Sequence, residues 1–192
     1  LGSDIDGEAL GDESGESVSL SSDGSIVAIG AKFNDGNGDD SGHVRVYQYR
    51  EFTQIDSDNG TYHYTSRVQD ATQTKPLIIT ENTSTAPVVG NSYWTQLGSD
   101  IDGEATIDTS RSVSLSSDGS IVAIGAPYNA GATGDIWSSG HVRVYQRNES
   151  NTTVAPIGWT QLGDDIDGEA QSDQSGYSVS LSSDGSIVAI GA

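Results

Sequence analysis

The sequence predicts an all-β chain of repeated four-stranded antiparallel units, and three observations support this. The string SVSLSSDGSIVAIGA occurs unchanged at 17–31, 112–126 and 178–192. Around it the same segments return in the same order: WTQLG at Trp94 and Trp159, LGSDIDGEA at Leu1 and Leu97 (LGDDIDGEA at Leu162), and SGHVRVYQ at Ser41 and Ser139. The apolar residues fall in short β-branched runs separated by Gly, Asp, Asn and Ser, which is the pattern of strands and turns.

Each segment is read as one strand. In SVSLS, Val18 and Leu20 alternate with serines, giving a half-buried strand with one polar face. SIVAIGA is nearly continuously apolar from Ile26 to Ile29, as expected for a strand covered on both faces. Asp23-Gly24 lies between them and supplies the positive φ of a tight turn, so the two strands form an antiparallel hairpin. HVRVYQ places Val44 and Val46 on one face and Arg45 on the other, and WTQL closes the unit as a fourth, outer strand.

The copies are 95 and then 66 residues apart. From Tyr47 to Trp94 takes 47 residues and from Tyr145 to Trp159 only 14, so the first copy carries an insertion between its third and fourth strands. Without it the period is about 60 residues, the size of a large propeller blade. A four-stranded unit cannot bury both faces alone, so neighbours must stack. The expected architecture is a partial β-propeller of about two and a half four-stranded antiparallel blades. Residues 1–48 hold the end of one blade and the first repeat strands, 49–93 the insertion, 94–158 the second repeat blade and 159–192 a truncated third. Both ends fall inside a unit, and the chain opens at Leu1 without a methionine, so the expectation is a piece of a longer protein whose signal peptide precedes these residues.

With 28 acidic and 8 basic residues, the formal charge is −20. Such a field repels nucleic acids and anionic lipid, because counterion-release binding needs clustered Lys and Arg. No apolar run approaches the roughly 20 residues of a membrane helix, so no membrane insertion is expected in this segment. Cysteine is absent, which excludes disulfides and thiolate metal sites. Sequons at Asn59, Asn82, Asn148 and Asn151 permit glycosylation and give weak support for secretion or a cell-surface location.

Gly176-Tyr177-Ser178-Val179, the Asp-Gly turn, the strand ending Gly125-Ala126-Pro127 and the GHVRVY segment together resemble the FG-GAP repeat of integrin α-like propellers. The resemblance spans the three copies and leaves out the insertion. It implies a secreted or surface propeller used for adhesion or ligand binding, often with calcium in its blade loops. The family's Asp-x-Asp-x-Asp-Gly calcium loop is here only Ser-Ser-Asp-Gly, so no calcium site is carried over to that hairpin. Lys32 stands where the family has proline, and Glu16 and Arg111 stand where Tyr177 does in the third copy.

Two other places offer oxygen ligands. Asp35, Asn37, Asp39 and Ser41 alternate through a glycine-rich loop, as a calcium ion requires, although Asp40 replaces the EF-hand glycine and no twelfth-position Glu follows; the competing reading is a solvated turn. The motif Asp-Ile-Asp-Gly-Glu at 4–8, 100–104 and 165–169 gathers carboxylates such as Asp100, Asp102 and Glu104, whose crowding a cation would relieve. Here the alternative is a buried isoleucine with the acids in water, and a structural role in joining blades is equally economical. In the insertion, Asp58-Asn59-Gly60 predicts a protruding hairpin followed by a polar connector, with an apolar segment at Leu77–Ile79. Tyr62, His63 and Tyr64 on that hairpin form a candidate recognition surface, against the alternative of cross-strand packing.

Catalysis finds little support, because a Gly-x-Ser-x-Gly elbow, a Walker loop and a His-Glu-x-x-His motif are all absent. His43 and His141 occupy equivalent repeat positions and read as structural strand residues. The expected function is a non-catalytic, extracellular or surface-exposed propeller module for a protein or glycan ligand, with Ca2+ as the candidate cofactor. The alternatives are a structural repeat of a cell envelope or matrix, and the scaffold of a propeller enzyme.

Overall fold

The computed structural model describes residues 2, 4–55, 62–65, 77–79, 92–130 and 138–192, with only strand backbones described within 51–92. All regular elements among them are strands, and all strand pairs are antiparallel. The first sheet is built from β1 (Ser14–Leu20), β2 (Ile26–Ala31), β3 (His43–Ile55) and β6 (Ser92–Gln96), with the short β7 (Ile101–Asp102) also paired to β3. The second repeats it with β8 (Ser112–Leu115), β9 (Ile121–Ala126), β10 (His141–Arg147), β11 (Trp159–Gln161) and the short β12 (Ile166–Asp167). The third is the hairpin of β13 (Ser178–Leu181) and β14 (Val188–Gly191).

Registers agree between copies. Val18 faces Ile29 and Val113 faces Ile124, while His43 pairs with Ala31 and His141 with Ala126. Identical strings therefore adopt identical pairings. Within the insertion, three stretches of strand are described ahead of β6. β3 runs unbroken through residue 49 to Ile55 and pairs with β4 (Tyr62–Thr65), which in turn pairs with β5 (Leu77–Ile79). The hairpin thus grows out of the third strand, and the short apolar segment is itself a strand rather than part of a connector. Its β-branched composition and its pairing edge on β4 account for the difference.

The β1–β2 turn is fixed by one carboxylate. Asp23 Oδ1 accepts from Ser21 Oγ at 2.8 Å, Ser25 N at 2.9 Å and Ser25 Oγ at 2.8 Å, while Gly24 takes a φ of 70°. Asp118 and Asp184 repeat the arrangement. The hydroxyl of Ser182, with the amide and hydroxyl of Ser186, holds Asp184 down from 3.8 to about 2. Because the folded value lies below the ordinary one, the charged turn contributes its full stability above pH 3.8 and loses it as the pH falls towards about 2. Ser182→Ala is expected to move the Asp184 midpoint, followed by NMR, back up towards the ordinary value. An unmoved midpoint would show that the hydroxyl is not the cause.

The sheets stack on one another through these same segments. Leu115 N donates to Ser19 Oγ at 2.9 Å, and Leu181 N donates to Ser114 Oγ at 3.0 Å. Ser22 N donates to Ser117 O, and Ser117 N donates to Ser183 O, both at 2.8 Å. Between the first two sheets lies the core, formed by Ile26, Ala28, Val44 and Val46 on one side and Val113, Leu115, Val122 and Ile124 on the other. Trp159 closes its outer end, donating from Nε1 to Leu97 O at 2.9 Å.

Six described non-glycine residues take a positive φ, among them the β-branched Ile107 and Thr109. Ile107 takes a φ of 70° and is 60% exposed, where the first copy has Gly11 at 101°. A β-branched side chain in the left-handed region costs about 1–2 kcal/mol, partly offset by the larger unfolded-state entropy of glycine. Ile107→Gly is therefore expected to stabilise the fold by up to about 1 kcal/mol, read from a thermal melt; a lower melting temperature would contradict it.

Candidate metal centre

The repeated Asp-Ile-Asp-Gly-Glu motif lies where one sheet gives way to the next. After β6, its Ile101 and Asp102 pair with Val44 and His43 of β3, and Ile101 is buried. The chain then crosses: Gly103 N donates to Gly42 O at 2.8 Å, and Glu104 reaches towards the second sheet. The third copy does the same, with Ile166 opposite Val142 and Gly168 N donating to Gly140 O at 2.8 Å.

Because of this crossing, the acids of one motif are divided between two sites. Glu8 of the first motif and Asp100 of the second converge on His43, and Glu104 of the second and Asp165 of the third converge on His141. In each group the candidate ligand atoms lie within 4.8 Å of one another, so each could hold a metal ion. His43 Nδ1 stands 3.7 Å from Glu8 Oε2 and 3.8 Å from Asp100 Oδ2. His141 Nδ1 is 3.7 Å from both Glu104 Oε2 and Asp165 Oδ2.

The far oxygen of each carboxylate has its own neighbour. Gln96 Nε2 donates to Asp100 Oδ1 and Gln161 Nε2 to Asp165 Oδ1, both at 2.6 Å. Arg45 Nη1 stands 3.6 Å from Glu8 Oε1 and Arg143 Nη1 stands 3.7 Å from Glu104 Oε1. The two arginines are themselves anchored, donating from Nη2 at 2.8 Å to the carbonyls of Asp6 and Asp102. Burial pushes His43 below its ordinary value against the pull of Asp100 and Glu8, and burial with the Arg143 charge does the same to His141.

Of the acids expected together, Asp100 and Glu104 are parted and Asp102 joins neither cluster. Burial, and then the Asp100 charge, pushes the Asp102 carboxyl up. The loop of Asp35, Asn37, Asp39 and Ser41 spends much of its polar surface on itself and on the next motif. Asp35 Oδ1 accepts from Asp40 N, Ser41 Oγ donates to Asn34 O, and Asn37 Nδ2 donates to the carbonyls of Gly103 and Glu104. Neither cluster includes Asp35 or Asp39.

Of the remaining expected residues, the backbone of Tyr62, His63 and Tyr64 forms β4, and their side chains lie outside the described residues. Asn59 and Asn82 lie outside them as well. Asn148 Nδ2 donates to Thr160 Oγ1 at 3.0 Å. Asn151 Nδ2 contacts the carbonyls of Val154, Pro156 and Trp159, so this side chain organises the β10–β11 loop.

Two groups of residues were missed in the sequence. His43 and His141, read as strand residues, are the centres of the clusters. Asp108 accepts the amides of Glu104 and Ala105 on Oδ2, and Asp173 accepts that of Ala170, so each holds its motif's turn. Aligning the copies places Asp12, Asp108 and Asp173 at one repeat position, which was the available signal.

Beside the second cluster a cleft of about 980 Å³ runs between the motif at 100–104 and the loop at 148–156, with Arg143, Tyr145 and Trp159 in its wall. Among the described residues no helix is long and apolar enough to cross a membrane. In comparisons with known proteins, no family model matches the chain and no curated protein matches it.

Proposed function

We propose that this chain is a run of β-propeller blades from a secreted or surface protein, a non-catalytic module that binds a protein or glycan ligand through loops at one end of the stacked sheets. The observation that carries this reading is the ladder Ser19–Leu115 and Ser114–Leu181, which joins the first strands of successive sheets by the same bond at the same repeat position. Blades set round a common axis contact one another through their innermost strands in this way. The cleft supports ligand binding, since it brings acids, amides and aromatic side chains to one concave surface. A charge of −20 favours a neutral or cationic partner over a nucleic acid.

Glycan-array and pull-down screening of the complete chain tests the proposal, with Val154→Arg, at an exposed cleft residue, as the control. Capture that fails with this variant supports the cleft as the binding surface. Capture that is unchanged moves the site elsewhere. No capture of any glycan or protein overturns the binding reading in favour of a structural repeat.

A further inference from the structure

The two histidine clusters contain a feature that ion pairing leaves unexplained. His43 has a side chain only 1% exposed, yet neither ring nitrogen has a hydrogen-bond partner, and Nε2 of the equally buried His141 has none. Separations of 3.7 and 3.8 Å from Nδ1 to the carboxylates are too long for hydrogen bonds. Nδ1, Oε2 and Oδ2 thus face one another across a small gap with no hydrogen bond joining them, and two carboxylates turned towards one buried imidazole form a ready set of donors for a cation.

The spacing suits a small cation. Donors about 2.1 Å from a tetrahedral ion stand about 3.4 Å apart, a few tenths of an ångström closer than His43 Nδ1 is to its two oxygens. Gln96 donates to the far oxygen of Asp100 and the Arg45 charge stands 3.6 Å from that of Glu8, which leaves the other oxygen of each carboxylate facing the ring, as partners behind a metal's ligands do. Two carboxylates against one guanidinium leave the site negative. An imidazole among the donors selects against calcium, which takes oxygen ligands, and for zinc-like ions.

We propose that each repeat junction binds one divalent transition-metal ion through His Nδ1, a Glu of one motif copy and an Asp of the next. His43 with Glu8 and Asp100 forms one site, and His141 with Glu104 and Asp165 the other. A ligand set drawn from successive copies means that the ion ties sheet to sheet, and a fourth position is left for water. The proposal depends on the stacking of the sheets and not on what the module binds.

Equilibrium dialysis of the whole chain against Zn2+ at neutral pH, followed by metal analysis, reads the stoichiometry. Two ions per chain are expected, one with His43→Gln and none with His43→Gln/His141→Gln, and a parallel Ca2+ dialysis should show no loss on the same substitutions. Glu8→Gln and Asp165→Asn change exposed or half-exposed carboxylates and should each remove one ion from a chain whose far-UV spectrum is unaltered. Zinc should also raise the melting temperature of the unsubstituted chain and not that of the carboxylate double variant. Binding that survives all four substitutions would reduce the effect to general attraction by surface acids. Failure of the unsubstituted chain to bind stoichiometric zinc would overturn the proposal outright.

Discussion

Leu115→Ala is expected to cost about 3 kcal/mol and Leu20→Ala less than about 1 kcal/mol, although both leucines stand at the same place in an identical 15-residue string. Leu20 is 60% exposed and Val18 62%, whereas Leu115 is 7% and Val113 9% exposed. Local sequence cannot produce that difference, because the hairpin, its register and its turn are the same in both copies. It comes from stacking. The Leu20 face of the first sheet has no described sheet against it, while Leu115 is pressed into the core shared with Ile26, Val44 and Val46. Truncating a buried leucine loses its transfer free energy and leaves a cavity that packed strands cannot close, but truncating an exposed one loses neither. Urea unfolding midpoints of the two variants measure the contrast directly. Equal costs would mean that the sheets do not stack as described, and the reading of blades would fail with them.

The strands were legible because their signals are local. Alternation in SVSL, the Asp-Gly turn and the opposed faces of Val44 and Arg45 all follow from a period of two and from turn chemistry, and the register obeys them. The grouping of the acids was not legible. Asp100 and Glu104 are four residues apart in the sequence, and proximity suggested a shared site. The chain crosses from one sheet to the next between them, so each meets a residue from a different motif copy. His43 and His141 read as strand residues and do stand at the starts of β3 and β10; that each also faces carboxylates from two motif copies follows from the same crossing and has no local signal. Asn37 shows the same limit, since its amide serves carbonyls more than sixty residues away in sequence.

Gly103→Ala is expected to be as damaging as the core truncation, at about 3 kcal/mol, whereas Gly7→Ala at the same motif position should cost less than about 1 kcal/mol. A Cβ on Gly103 would lie 2.0 Å from the carbonyl oxygen of Ser41 and 2.8 Å from its carbon. These are backbone atoms held by β3 and by the Gly103–Gly42 hydrogen bond, so no rotamer change relieves the clash. The motif would have to lift from the first sheet, carrying Asp100 away from His43 and Glu104 from His141. Gly7 precedes the first sheet, and its Cβ would meet only the Cβ of Ser14, at 3.2 Å. The same substitution in the same five-residue motif therefore separates the two explanations for the glycine. If it served the motif's own turn, both variants would suffer alike; if it serves the contact with the neighbouring sheet, only Gly103→Ala, and likewise Gly168→Ala against Ser139 O at 2.1 Å, should lower the unfolding midpoint. Comparable losses at Gly7 and Gly103 would remove the motif from its place at the junction.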